Sequence, residues 1–297
     1  MTATAFDERL TRVEAGERLT PDEIRELSAS PEIVSLGMLA DTLRRRLRGT
    51  TATFLRVSSC AVHASFAEAV TPLAREVCIT GVPDTAEVAT SAVRSARAVA
   101  GNRTVCGFRW SDIERMAQNA AARAALLAEL RREGLDALAE LPLDATADVT
   151  AAVDQLCAAG FEQIRLTVES GGGASRADLW LRAEALQEGC GRIQVLNPLP
   201  TVLRAFRPTT GYEDVRSVAI ARLAAPNVPV IQVDWSRYGP KLAQVALTFG
   251  ADDLWGVSAS DEAPEGRRRA PREEIRRNIE AAGFEPVERD GRFTATL

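Results

Sequence analysis

A cysteine and the chain's single histidine stand three residues apart in SSCAVHASFAEA (58–69), just past an apolar stretch, Ala52 to Val57, that reads as a strand. Cys60 and His63 could open a C-x-x-H zinc site. Zinc, however, takes three or four protein ligands, and the rest would have to come from distant carboxylates. An inert Cys60 and a surface His63 are the preferred reading. With one histidine so placed, no nucleophile–histidine–acid triad is written into the chain. A second set of residues falls at the ends of successive apolar stretches: Arg109, Trp110, Glu140, Glu169, Ser170, Asn197, Asp234, Arg237 and Asp253. Two arginine forks can hold a carboxylate or phosphate, and the acids and amide can take hydroxyls or an amine. Trp110, Trp235 and Trp255 offer rings for stacking on a base. Glu169 and Asp234 could act as an acid–base pair if burial or an arginine drives their pKa values apart. GGGAS (171–175) precedes a helical pattern and could cradle an anion. It lacks the Lys-Ser/Thr of a P-loop, so a connector is preferred.

These residues need a scaffold that gathers strand ends. Eight strand candidates begin near 51, 75, 103, 134, 161, 191, 228 and 251, and most are separated by helical segments rich in Ala, Leu, Arg and Glu. Repeated strand–helix units predict a parallel sheet covered by helices, and eight of them favour a closed (β/α)8 barrel of the TIM type. In such a barrel the mouth at the C-terminal strand ends carries the chemistry. Residues 1–50 read as an N-terminal helical extension to a single domain spanning 1–297. Thr20, Pro21 and Glu23 form a capping-box signature, and Ser30 with Pro31 repeats the device. The arginines from Arg44 to Arg48 are expected to be solvated in a last helical turn. Residues 270–297 read as a helix followed by a hairpin about Asp290-Gly291.

The 297 residues are 46% hydrophobic and carry a formal charge of −5. Neither nucleic acid nor an anionic membrane is drawn to such a chain. No apolar run reaches the roughly 18 residues that span a bilayer, so a cytoplasmic location is expected. The five cysteines are scattered, with no C-x-x-C pair.

Several stretches resemble the radical SAM enzymes of menaquinone synthesis by the futalosine route, above all aminofutalosine synthase. They are RVEAGERLTPDEIREL, IVSLGMLADTLRRRLRG, TTGYEDVRSVAIARLAAPNVP, GPKLAQVALTFGADDLWG, REGLDAL and PVERD. The likeness runs through most of the chain in order, strongest at both ends and weakest between 66 and 160. The resemblance implies a C-x-x-x-C-x-x-C loop after the first strand, whose thiolates hold a [4Fe–4S] cluster. Here the matching letters are CAVHASFA: Cys60 keeps the first place, while Ala64 and Ala67 occupy the other two. The resemblance also implies a glycine pair beside SAM after the second strand. Gly81 is kept and Val82 replaces its neighbour.

The reading that follows is a radical SAM-like pseudoenzyme with a relic cluster loop, in which neither an iron–sulfur cluster nor SAM binding is expected. It would serve menaquinone synthesis as an accessory subunit, partnered by an intact paralogue or by itself, with a metabolite at the mouth. The alternatives are an enzyme repurposed for non-radical acid–base chemistry on a nucleoside- or carboxylate-type substrate, and a structural or sensing protein without a ligand.

Overall fold

The computed structural model describes residues 3–169, 176–201, 211–266 and 268–296. Three helices lead: α1 (Ala3–Ala15), α2 (Pro21–Ala29) and α3 (Ile33–Arg48). The capping box at Thr20 forms, with Thr20 Oγ1 accepting from the Glu23 amide and Glu23 accepting from the Thr20 amide. Ser30 does not start α3 as its sequence implies. It ends α2, and Glu32 precedes α3 without a side-chain cap. Arg44 departs from the solvated arginine face: it is fully buried, donates to the carbonyls of Gly49, Thr51 and Ala251, and stacks on Phe284. Desolvation pulls its guanidinium down to about 10.

The barrel then alternates. β1 (Thr51–Ala61) is followed by the one-turn α4 (Phe66–Ala69), β2 (Glu76–Thr80) and α5 (Ala86–Ala100). Next come β3 (Thr104–Arg109), α6 (Trp110–Met116), α7 (Ala120–Glu133), β4 (Ala137–Pro142) and α8 (Val149–Ala158). The second half holds β5 (Ile164–Val168), α9 (Arg176–Cys190), β6 (Ile193–Pro198), α10 (Tyr212–Ala224), β7 (Val230–Asp234) and α11 (Trp235–Leu247). The chain closes with β8 (Asp253–Ser258), α12 (Pro271–Ala281) and β9 (Glu285–Glu288). Strands β1 to β8 pair in parallel with their sequence neighbours, and β1 pairs with both β8 and β2, so the sheet closes into a (β/α)8 barrel. No described helix is long and apolar enough to cross a membrane.

Two elements differ from the sequence reading. β1 continues to Ala61 because Val57–Ala61 lies in register with all of β2. Cys60 therefore sits within the strand rather than in a loop beyond it. In the tail, β9 pairs in parallel with Thr51–Phe54 of β1, on the edge that β2 leaves uncovered. The hairpin about Asp290-Gly291 is reduced to one antiparallel bridge, Arg289 to Ala295.

That tail plugs the barrel at its N-terminal end. Side chains alternate across a strand, so Leu55, Val57, Cys78, Cys106 and Ala137 form an inner apolar layer, separate from the larger core between sheet and helices. Gly291 approaches this inner wall so closely that a Cβ there would stand 2.4 Å from Thr104 and 2.9 Å from Glu76. Only glycine fits that contact. Arg289, 1% exposed, enters with it and grips Asp253 through two hydrogen bonds of 2.5 and 2.7 Å.

Candidate functional site

The mouth is built from the last residues of β3, β4, β5 and β7. Arg109 ends β3, and its amide donates to Asp112 Oδ2 at 3.0 Å, which ties it to the first turn of α6. Phe108 before it has φ 61, a left-handed conformation costing roughly 1–2 kcal/mol for a residue with a Cβ. Such strain is held where surrounding structure over-determines it, and here it directly precedes the mouth's first arginine. Arg109 Nε lies 3.0 Å from Glu140 Oε2, and Arg109 also pairs closely with Glu169. Arg237, in the first turn of α11, pairs with Glu140 and lies 3.3 Å from Asp234 Oδ2. The result is a continuous chain of alternating charge: Glu169, Arg109, Glu140, Arg237, Asp234. The two arginine side chains stay 43% and 44% exposed, so each keeps a solvent-facing edge.

Asp234 does double duty. Its Oδ1 caps α11, accepting from the Ser236 amide at 2.9 Å, Ser236 Oγ at 2.6 Å and the Arg237 amide at 3.3 Å. Burial still pushes its carboxyl above the ordinary value, against the opposing pull of those donors and of Arg237. Glu169 is held by its backbone, whose amide donates to the Asp144 carboxylate at 3.1 Å.

Beside this chain lie two buried polar atoms without partners among the described residues. Asn197 and Thr167 face each other across β6 and β5 and both point into the lumen. Asn197 is 6% exposed and Thr167 2% exposed, yet among the described residues Asn197 Oδ1 and Thr167 Oγ1 have no hydrogen-bond partner. An unmet buried polar atom costs on the order of 1–3 kcal/mol. Such atoms call for water or a ligand with donors.

Below the mouth, Glu76 and Arg165 form a buried floor. Arg165 Nη1 and Nη2 donate to the two Glu76 oxygens at 3.0 and 2.5 Å, and Trp255 Nε1 donates to Oε1 at 2.7 Å. Burial raises the Glu76 carboxyl, but the charge and hydrogen bonds of Arg165 outweigh it and hold the group below the ordinary range. Trp255 is thereby fixed with a half-buried ring in the lumen.

Three expectations are corrected. Asp253 begins β8, at the end opposite the mouth, and is fully buried among Arg289, Gln232 and Thr53. Asp252 beside it is spent on Arg222. Trp110 is 2% exposed and packs into the main core, because α6 turns that face inward, so its ring is no stacking platform. Trp235 is half-buried against the same core. Glu140 is the hub of the ion chain, facing both arginines. Glu76, Arg165 and Thr167 fall outside the set that the strand ends predict. The available signal was a charge inside an apolar strand, as in REVCIT and QIRLTV, where a buried ion needs a partner across the lumen. Ser170 and GGGAS (171–175) lie outside the described residues.

The residues of CAVHASFA are dispersed rather than assembled. Cys60 is 1% exposed within the main core, where burial raises its thiol. His63 is exposed and lies 3.5 Å from Asp84 in the next loop, turned to a different partner. Ala64 and Ala67 offer methyl groups. These residues do not fit a cluster that needs three thiolates, and among the described residues no group of three or more His, Cys, Asp or Glu is placed to hold a metal ion. Gly81 keeps a positive φ of 85, whereas Val82 adopts no such angle and projects 60% exposed.

Residues 197–296 match the family described as the CofH/MqnC C-terminal region, about a third of the chain. Over 139 residues the sequence is 31% identical to aminodeoxyfutalosine synthase of Streptomyces coelicolor, covering 40% of this chain and 36% of that one. Over 123 residues it is 37% identical to 5-amino-6-(D-ribitylamino)uracil–L-tyrosine 4-hydroxyphenyl transferase of Archaeoglobus fulgidus, covering 37% and 36%. The matches thus span little more than a third of these relatives' length. Among solved structures, the hydrogenase maturase HydG of Carboxydothermus hydrogenoformans aligns with TM-score 0.70 at 13% identity, over 96% of this chain and 79% of that one. Methylornithine synthase (PylB) aligns with TM-score 0.66 at 15% identity, over 94% and 97%. At those identities the likeness shows the barrel alone. The sequence is therefore similar to aminodeoxyfutalosine synthase and the 4-hydroxyphenyl transferase, and its C-terminal third matches the CofH/MqnC C-terminal region.

Proposed function

We propose that this protein is a cluster-less relative of aminodeoxyfutalosine synthase that binds a metabolite at the barrel mouth and works as an accessory subunit in menaquinone synthesis. Its partner on this reading is an intact, cluster-bearing paralogue or a second copy of itself, in the cytoplasm. The observation that carries the pocket is the pair of buried, unmet acceptors, Asn197 Oδ1 and Thr167 Oγ1, beside two half-exposed arginines. That set favours a ligand bearing both a carboxylate and hydroxyl or amine donors. The names of the two relatives, a nucleoside product and a ribityl-amino-uracil substrate, fall in the same polar class. With Ala64 and Ala67 in place of thiolates, and Val82 beside Gly81, the reading derives no step through a cluster or SAM.

The test is a thermal-shift series with futalosine-type nucleosides, ribitylamino-pyrimidines and benzoate-type acids. A ligand at about a hundred times its dissociation constant adds roughly 2.7 kcal/mol. That stabilisation should vanish in Asn197→Leu and Arg109→Ala. No shift with any of the three classes defeats the pocket.

One observation favours a second reading, an acid–base enzyme. Burial raises the Asp234 carboxyl, while Glu169 faces Arg109, so the two carboxyls are in unlike environments as an acid and a base require. Turnover of a bound ligand, lost in Asp234→Asn, would select this reading over the accessory one.

A further inference from the structure

β1 turns one charged side chain away from the lumen. Leu55 and Val57 belong to the inner layer, so Arg56 between them faces outward. There it meets the end of β9. Arg56 Nε donates to Glu288 Oε1 at 2.7 Å, and the two side chains are 5% and 6% exposed. Two more arginines reach the same carboxylate. Arg75, just ahead of β2, donates from Nε to Oε1 at 3.3 Å. Arg272, in the first turn of α12, brings its Nε within 3.5 Å of Oε2. These two side chains are 38% and 52% exposed, so they form an open rim over a buried floor.

The charges in this cluster do not balance. In the lumen Arg165 holds Glu76, and Arg289 holds Asp253, each through hydrogen bonds to both carboxylate oxygens. Here three guanidinium groups share the one buried carboxylate of Glu288, which leaves two positive charges over. Arg56 Nη1 is buried and has no hydrogen-bond partner among the described residues. Asp261, in the loop after β8, stands 3.6 Å from that nitrogen with its side chain 65% exposed. At that distance it screens the cation without satisfying it, and a buried charge left incompletely paired is costly. The N-terminus of α12 adds its positive end to the same field, with Ala270 at the cap position supplying no side-chain acceptor. Of the acids in that turn, Glu273 pairs with Arg269 and Arg277.

We propose that Arg56, Arg75 and Arg272 form a phosphate site on the outer wall of the barrel, separate from the mouth and independent of any ligand there. The occupant is a phosphate dianion, free or as a monoester. Its oxygens accept from Arg56 Nη1 at the floor and from the guanidinium edges of Arg75 and Arg272 at the rim. Asp261 yields its place as the anion enters. The two charges of the dianion match the two that Glu288 leaves uncompensated, whereas a carboxylate ligand would meet only one of them.

The experiment titrates inorganic phosphate into the whole chain in a calorimeter, with ionic strength held constant by potassium chloride so that general screening does not imitate binding. It is run on the wild type and on Arg109→Ala combined with Arg237→Ala, and saturable binding should persist in the latter, which separates this site from the mouth. Arg75→Gln and Arg272→Gln change only the exposed rim, and circular dichroism checks that both fold. Each removes a hydrogen bond to a charged group and should weaken phosphate about tenfold or more. Asp261→Asn should instead tighten it, because the competing carboxylate is gone. A mere structural brace around Glu288 predicts neither change. Ribose 5-phosphate distinguishes the sources: affinity above that of inorganic phosphate marks a phosphorylated metabolite, and affinity below it marks the free ion. No saturable binding, binding lost together with the two mouth arginines, or an affinity unmoved by Arg272→Gln and Asp261→Asn would overturn the proposal.

Discussion

The mouth and the floor of this barrel are made of the same residue types and do opposite work. At the mouth, Glu169, Arg109, Glu140, Arg237 and Asp234 form a relay of ion pairs with both arginines nearly half exposed. Lower in the barrel, Glu76 and Arg165 pair at 0% and 3% side-chain exposure. Water reaches both arginines of the first set, although Glu140 and Asp234 are themselves largely buried, so an open pair such as Arg109–Glu169 is worth at most about 1 kcal/mol and can be exchanged for a ligand group. The second set has no water to fall back on. Removing one partner there strands a charge, which costs about 3–5 kcal/mol. Exchangeability, rather than charge, separates a binding surface from a structural one.

The sharpest way to break this contrast is Arg165→Met. It leaves the Glu76 carboxylate buried with Trp255 and Cys106 as its donors among the described residues, and urea unfolding should show a loss of about 3–5 kcal/mol. Adding Glu76→Gln should restore much of that, since the stranded charge is gone. A single-variant loss under about 1 kcal/mol would mean that water reaches the floor and that the two regions are alike. Gly291→Ala tests the plug beneath it. A Cβ 2.4 Å from Thr104 must push the tail outward, with an expected cost of about 1–3 kcal/mol from overpacking.

How far these two regions can be read from sequence differs for the same reason. The eight strands and their order follow from apolar runs alternating with helical patterns, because each strand is buried on both faces. The stretch GLDALAEL, from 134, yields β4 over Ala137–Pro142. The mouth residues are legible once the strand ends are known: Arg109, Glu140, Glu169 and Arg237 are joined by ion pairs to one another and to Asp234. Asp253 misleads because a residue at the start of a strand and one at its end look alike when the boundary shifts by a few positions. The floor is harder still. Glu76 and Arg165 are 89 positions apart, and nothing local tells that barrel closure will set them face to face. Cys60 fails for a related reason: the register of β1 with β2 extends the strand past it and carries it into the core.

At the mouth, Arg109→Ala and Arg237→Ala should each change unfolding stability by less than about 1 kcal/mol. Either should still remove the thermal shift given by a carboxylate-bearing ligand. The split between the two readouts is the point. A loss of several kcal/mol in the apoprotein, comparable to Arg165→Met, would make the ion relay a structural brace.

The smallest expected effect has the opposite sign in the two regions, and it is read against pH. Burial raises the Asp234 carboxyl above its ordinary value of 3.8. The folded state therefore holds that proton more tightly than the unfolded chain. The resulting stabilisation is complete below about pH 3.8 and is lost as pH rises through the folded value. Glu76 is lowered from 4.5, the net result of burial opposed by Arg165. Its contribution is complete above that pH and is lost as pH falls through the folded value. Asp234→Asn keeps an oxygen that can cap α11, since asparagine serves as well as aspartate there, and removes the titration together with the charge that faces Arg237. Unfolding curves at a series of pH values should show the wild type losing ground to Asp234→Asn as pH climbs past 3.8. Glu76→Gln should show the reverse, with the wild type's advantage shrinking as acid is added. If both differences run in the same direction, Asp234 is paired as firmly as Glu76, and the mouth has no carboxyl poised to hold a proton.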